Sequence, residues 1–127
     1  MTKAMTDRAT IIIKNLRLRT FIGFNDEERL KKQDVVINAK ITHFIKNEAL
    51  TQDEVDFAFN YKTITKAIIE KVENNQFLLL EKMTNDILEI CSNDEAVITA
   101  TVTAEKPHAL RFADSVAIEL TFNAEIN

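Results

Sequence analysis

The sequence predicts an α+β domain of order ββααββ, in which a four-stranded antiparallel sheet carries two helices on its apolar face. Three observations predict it. Two stretches of alternating polarity open the chain, two stretches with helical spacing follow, and two more alternating stretches close it. Strands come in sequential pairs, with no strand–helix–strand alternation to call for a parallel sheet. A length of 127 residues with 46% hydrophobic content suits a single domain, 1–127, with a core of its own, and residues 1–9 are expected to form a frayed N-terminus.

From Ile12 to Ile22 the even positions Ile12, Leu16, Leu18 and Ile22 are apolar, while Asn15, Arg17 and Arg19 take the other parity, the pattern of a half-buried strand. Residues 35–44 alternate likewise, with Val35, Ile37, Ala39 and Ile41 against Asn38, Lys40 and Thr42. TFIGFNDEERLKKQD between them reads as the long, charged loop of a hairpin. After the polar stretch 46–56, Ile64, Ala67, Ile68 and Val72 recur at helical spacing, and beyond the break VENNQ the series Leu79, Leu80, Met83, Ile87, Ile90 and Cys91 does so again. Alternation then returns, first as Ile98, Ala100 and Val102 against Thr99, Thr101 and Thr103, and last as Val116, Ile118, Leu120 and Phe122 against Ala117, Glu119 and Thr121. The face away from the helices is mostly threonine, arginine, asparagine and lysine. A sheet of this kind has open edges, and closing several such sheets into a ring is one way to remove them.

Composition excludes several classes of function. A net charge of −4 lacks the basic excess of a phosphate-contacting surface, so no nucleic-acid partner is expected. The longest apolar run is Phe77 to Leu80, far below the roughly 20 residues that span a bilayer, and MTKAMTDRAT has no signal-peptide core. A cytoplasmic protein without a membrane partner is the expectation. The single cysteine, Cys91, lies on the apolar stripe of the second helix and reads as a buried thiol. One glycine cannot build a phosphate-cradling loop. His43 and His108 lack metal-ligand spacing, so no metal is expected.

The only glycine and the only proline both stand where a strand stops beside charged residues: Gly23 in TFIGFNDEER and Pro107 in TAEKPHALRF. Four ionisable residues sit at such boundaries. They are Glu28 in the Gly23 loop, Tyr61 at a helix start, Glu81 in the early turns of the second helix, and Lys106 before Pro107. Each alone reads as readily as a surface residue.

Together, the segments NLRLRTFIGFNDEERLKKQDVVIN, FNYKTITKAIIEKVENN, FLLLEKMTNDILEI and EKPHALRFADSVAIEL resemble the dihydroneopterin aldolase family. The pieces that carry the resemblance are IGxxxxE, NY, LLEK and KPxAL, spread over residues 10–122. What it implies is the tunnelling fold, whose ββααββ subunits join their sheets into a barrel, as a homo-octamer of two stacked rings with pterin sites between adjacent subunits. The LRLRTFIG and HALRFADSV segments are most similar to the branch that epimerises C2' of the 7,8-dihydroneopterin triphosphate side chain. Plain aldolases of folate biosynthesis, which release glycolaldehyde and 6-hydroxymethyl-7,8-dihydropterin, share the KP pair. A catalytically silent pterin-binding subunit is the third reading, and intact Glu28, Tyr61, Glu81 and Lys106 speak against it.

The residue roles that the resemblance implies agree with physical need. Glu81 matches the pterin anchor, since a carboxylate accepts two parallel N–H bonds from the 2-amino group and ring N3. The free N–H of Leu80 at the helix start can bind the pterin carbonyl oxygen. Lys106 matches the catalytic lysine. A reduced pterin protonated on N5 is its own electron sink, so C–C cleavage needs only proton transfer from the 2'-hydroxyl and no cofactor. An amine with an ordinary pKa near ~10.4 must lose its proton to act as base, which favours a lysine and water pair. Glu28 matches a loop glutamate near the substrate side chain, and Tyr61 a tyrosine that orients that side chain or holds the water. Arg17 and Arg19 share one strand face about 6.6 Å apart. With Arg111, Lys31 or Lys32 they are candidates for the triphosphate, and equally an ordinary solvated face.

Overall fold

The computed structural model describes residues 7–124. In chain order its elements are β1 (Arg8–Ile22), β2 (Gln33–Phe44), α1 (Asn47–Thr51), a 3-10 turn at Val55–Phe57, α2 (Tyr61–Glu73), β3 (Gln76–Phe77), α3 (Leu80–Ser92), β4 (Val97–Pro107) and β5 (Ser115–Asn123). The four long strands pair antiparallel, as expected, and lie in the order β1-β2-β4-β5. Part of the expected frayed N-terminus, residues 1–6, lies outside the described residues, and Arg8 and Ala9 already belong to β1, paired with Phe44 and His43.

Two features depart from the sequence expectation. The sheet has a fifth strand, since β3 runs parallel to the end of β1 through Phe21↔Gln76 and Ile22↔Phe77. Two residues are too few to show a period of two. The second departure is a β-bulge, where Ile13 pairs with Ala39 but Leu16 with Ile37, so three steps of β1 span two of β2. Asn15 sits there with φ 51, and its N–H donates to Asn38 Oδ1 at 2.9 Å. The bulge reverses the parity of β1. Ile12, assigned to the core by its even number, is 52% exposed, while Ile11 and Ile13 pack against the core and Leu18, Thr20 and Ile22 are buried.

The core lies between sheet and helices. Val35, Ile37, Ala39 and Ile41 of β2 and Ala100, Val102 and Ala104 of β4 meet Ile68 and Val72 of α2 and Met83, Ile87 and Cys91 of α3. The buried face of each helix is thus the apolar stripe its spacing predicted. α3 packs across β4 and β5, and α2 against β1 and α3. Burial pushes the Cys91 thiol up to about 12, in keeping with an inert packing role. Thr20 is a buried polar residue of β1, and its hydroxyl donates to Val72 O at 2.6 Å, fastening β1 to the end of α2. α2 is capped by Asn60, whose Oδ1 accepts from the N–H groups of Lys62 and Thr63. α3 begins at Leu80, after Leu79, which offers no side-chain cap. No helix among the described residues is long and apolar enough to cross a membrane.

Candidate active site

The site is assembled where β1 ends. Gly23 has φ 126, a conformation that side chains rarely adopt, and its N–H donates to Phe77 O at 2.9 Å. This bond sets the loop after β1 beside β3 and the start of α3. A Cβ on Gly23 would lie 2.2 Å from the Glu28 carboxyl carbon, so the glycine makes room for that carboxylate. The loop closes through Asn25, whose Oδ1 accepts the Glu28 N–H at 2.7 Å.

Glu28 Oε2 accepts from Lys106 Nζ at 2.6 Å and from Gln33 Nε2 at 3.2 Å. Gln33 also donates to Ile22 O at 2.7 Å, which fixes the carboxylate against the end of β1. The Lys106 side chain is 12% exposed and that of Glu28 22%. The bond from Lys106 holds the Glu28 carboxyl below its ordinary value of 4.5; burial opposes this and Gln33 adds to it. Lys106 stands opposite Val116 of β5, and Pro107 ends β4 opposite Ser115. Pro107 removes a backbone donor there and biases Lys106 to extended backbone.

A cleft of about 230 Å³ is lined by Gly23, Glu28, Leu80, Glu81 and Lys106, with apolar walls that include Leu79 and Val116. Three of the four boundary residues, Glu28, Glu81 and Lys106, therefore meet in one chain, together with Leu80. Glu81 lies in the first turn of α3, where uncapped N–H groups face outward from the helix end. Tyr61 is elsewhere. It is the first residue of α2, 54% exposed, beside a groove shared with Thr65 and Ile69.

The cations are also outside the cleft. Arg17 and Arg19 are exposed on the outer face of β1, and Arg19 is engaged by Asp34 Oδ1 at 2.6 Å and by Lys32 O at 3.1 Å. Lys31 is exposed in the loop before β2, and the Lys32 ammonium lies 5.9 Å from the centre of the Phe21 ring. Arg111 occupies the β4–β5 loop, its guanidinium 5.5 Å from the centre of the Phe112 ring. Gln33 was missed by sequence reasoning. It is the first residue of β2, at the end of a polar stretch without periodicity, and its position five residues after Glu28 was the available signal.

A carboxylate at a helix start, and an amine paired with a second carboxylate in the same cleft, can hold a flat amidine-like ring and move a proton beside it. The family model described as FolB, dihydroneopterin aldolase, matches residues 11–121. The chain belongs to the dihydroneopterin aldolase family. It is 51% identical over 114 residues to the dihydroneopterin triphosphate 2'-epimerase of Escherichia coli K12, covering 90% of this chain and 94% of that protein. Identity to the enzyme of the same name from Pseudomonas aeruginosa is 53% over 112 residues, covering 88% and 90%. With the dihydroneopterin aldolase of Haemophilus influenzae it is 28% over 108 residues, covering 85% and 91%. The crystal structure of E. coli dihydroneopterin aldolase in complex with neopterin superposes with a TM-score of 0.83 at 22% identity, over 91% of this chain and 99% of that one. The expected tunnelling fold of the dihydroneopterin aldolase family is thus the fold of this chain, and the protein is an enzyme of that family.

Proposed function

We propose that the enzyme inverts C2' of the 7,8-dihydroneopterin triphosphate side chain to give the dihydromonapterin form, by retro-aldol cleavage and aldol re-addition. The observation that carries the chemistry is the 2.6 Å contact of Lys106 with Glu28 in the cleft that Glu81 also lines. The choice of product rests on identities of 51% and 53% to epimerases against 28% to an aldolase.

In this reading Glu81 accepts the 2-amino and N3 protons of the pterin and the Leu80 N–H donates to its carbonyl oxygen. Lys106 first gives a proton to N5 through a water it holds, and the neutral amine left behind then takes the 2'-hydroxyl proton by way of that water. The C1'–C2' bond then breaks, and its electron pair passes through C1' into the ring protonated on N5, leaving an aldehyde at C2'. Re-addition of C1' to the other face of that aldehyde, with return of the proton, inverts C2'. Glu28 keeps the amine in place, and no separate cofactor enters. Tyr61 comes from a neighbouring copy, in a ring-forming homo-octamer with sites between subunits. Its exposure at the start of α2, away from its own chain's cleft, supports that arrangement. Arg17, Arg19 and Arg111 are the candidate phosphate ligands, and the enzyme works in the cytoplasm.

The second reading, a dihydroneopterin aldolase, uses the same atoms and differs only in early escape of the aldehyde; the matching family model favours it. The two separate on incubation with dihydroneopterin triphosphate and, in parallel, dihydroneopterin, followed by oxidation and chromatography. Monapterin triphosphate is expected to appear faster than hydroxymethylpterin. The reverse order of rates supports the aldolase.

A further inference from the structure

We propose that the loop joining β4 to β5 takes the phosphate end of the substrate through His108 and Arg111, and so sets the preference for a triphosphate over a dephosphorylated side chain. The proposal rests on the epimerase reading and adds a specificity-determining residue to it, His108.

Direction and reach come first. In the epimerase reading Glu81 anchors the ring and Lys106 acts at C2', and both line the one cleft, so the side chain runs from Glu81 toward Lys106. The first phosphorus is three bonds beyond C2'. The phosphates must therefore leave the cleft past Lys106, and the chain that continues there is the β4–β5 loop, with His108 at most about 7.6 Å from Lys106 between Cα atoms.

The backbone gives an independent pointer. Three described residues have positive φ: Gly23, Asn15 and His108, the last at 64°. At Gly23 a side chain has no room, and asparagine enters the left-handed region easily. Histidine enters it more readily than most side chains, yet glycine would do so freely. The turn itself needs little from residue 108 beyond its N–H, which donates to Asp114 O at 3.4 Å. An imidazole on a backbone that favours glycine points to a side chain that acts outside the turn.

Arg111 provides the charge. Among the described residues it has no carboxylate partner, and its guanidinium lies over the Phe112 ring, itself 95% exposed. Arg19, by contrast, is occupied by Asp34 and the Lys32 carbonyl. A guanidinium fork and an imidazole N–H both donate to phosphate oxygens, the first in bidentate fashion.

The test compares KM for dihydroneopterin triphosphate and for dihydroneopterin in the wild type, His108→Gly, His108→Asn and Arg111→Gln. His108→Gly and Arg111→Gln are each expected to raise KM for the triphosphate about tenfold more than KM for dihydroneopterin. His108→Asn, which tolerates the same backbone and keeps an N–H donor, should recover part of the loss. Thermal melting of His108→Gly at or above the wild-type temperature separates a lost contact from a damaged fold. A wild type that prefers the triphosphate, with KM ratios unchanged in the glycine and glutamine variants, overturns the proposal alone. A wild type without that preference overturns the epimerase reading and the proposal together.

Discussion

Lys106 donates to Glu28 where little of either side chain meets solvent, and the consequence is a pH-dependent contribution to stability. Glu28 titrates below 4.5 in the folded chain and near its ordinary value when unfolded. Its contribution is fully present above the unfolded value and is lost as pH falls through the depressed folded one. Glu28→Gln should therefore cost about 2 kcal/mol at pH 7, and the gap between its melting temperature and that of the wild type should close as pH drops below 4.5. A gap independent of pH would show that the carboxylate charge adds nothing. The roles of the other two side chains separate by binding and turnover. Lys106→Ala is expected to keep pterin binding and lose about 10²–10⁴-fold in kcat, whereas Glu81→Ala should weaken binding itself by about tenfold or more. Loss of binding in both, with assembly intact, contradicts the division. Lys106, Glu28 and Glu81 were legible because each lies in a short motif; Gln33, which orients the carboxylate, was not, because a side chain folding back across its own loop leaves no periodic trace.

At the scale of elements, the loop from Gly23 to Lys32 shows what one glycine does. A Cβ at Gly23 would strike the tip of the Glu28 side chain rather than backbone, so Gly23→Ala can be relieved by moving Glu28, at the expense of its bond to Lys106. The left-handed φ remains and costs about 1–3 kcal/mol. Gly23→Ala should accordingly fold, melt lower, and lose more turnover than its stability loss explains, measured by melting and initial rates on one preparation. Alternation made β2, β4 and β5 legible, and helical spacing did the same for α2 and α3. β1 was half legible, because the bulge at Asn15 exchanges its faces and places Ile12 outside the core. α1 and the turn at Val55–Phe57 bury no residue and left no apolar stripe to read. β3 is held by the Gly23 N–H and two paired residues, a tertiary event with no local signature.

The whole molecule presents surfaces that one subunit does not use. Val116, Ile118, Leu120 and Phe122 of the edge strand β5 are only half-buried, and Phe24, Leu79 and Leu110 near the cleft and the β4–β5 loop are exposed. Such edges and apolar rims fit the proposed ring, in which a neighbouring copy brings Tyr61 to the cleft and helps to enclose it. In the proposed reading, enclosure decides the product. The cleaved aldehyde must stay beside C1' long enough to turn its other face, whereas an open cleft would let it leave. The direct test is to run the reaction on dihydroneopterin triphosphate with and without excess hydroxylamine, which captures any free aldehyde as the oxime. The rate of monapterin triphosphate formation should be the same in both. Suppression of that product, with hydroxymethylpterin and the captured aldehyde accumulating one for one, would contradict bond cleavage and re-formation within a closed site.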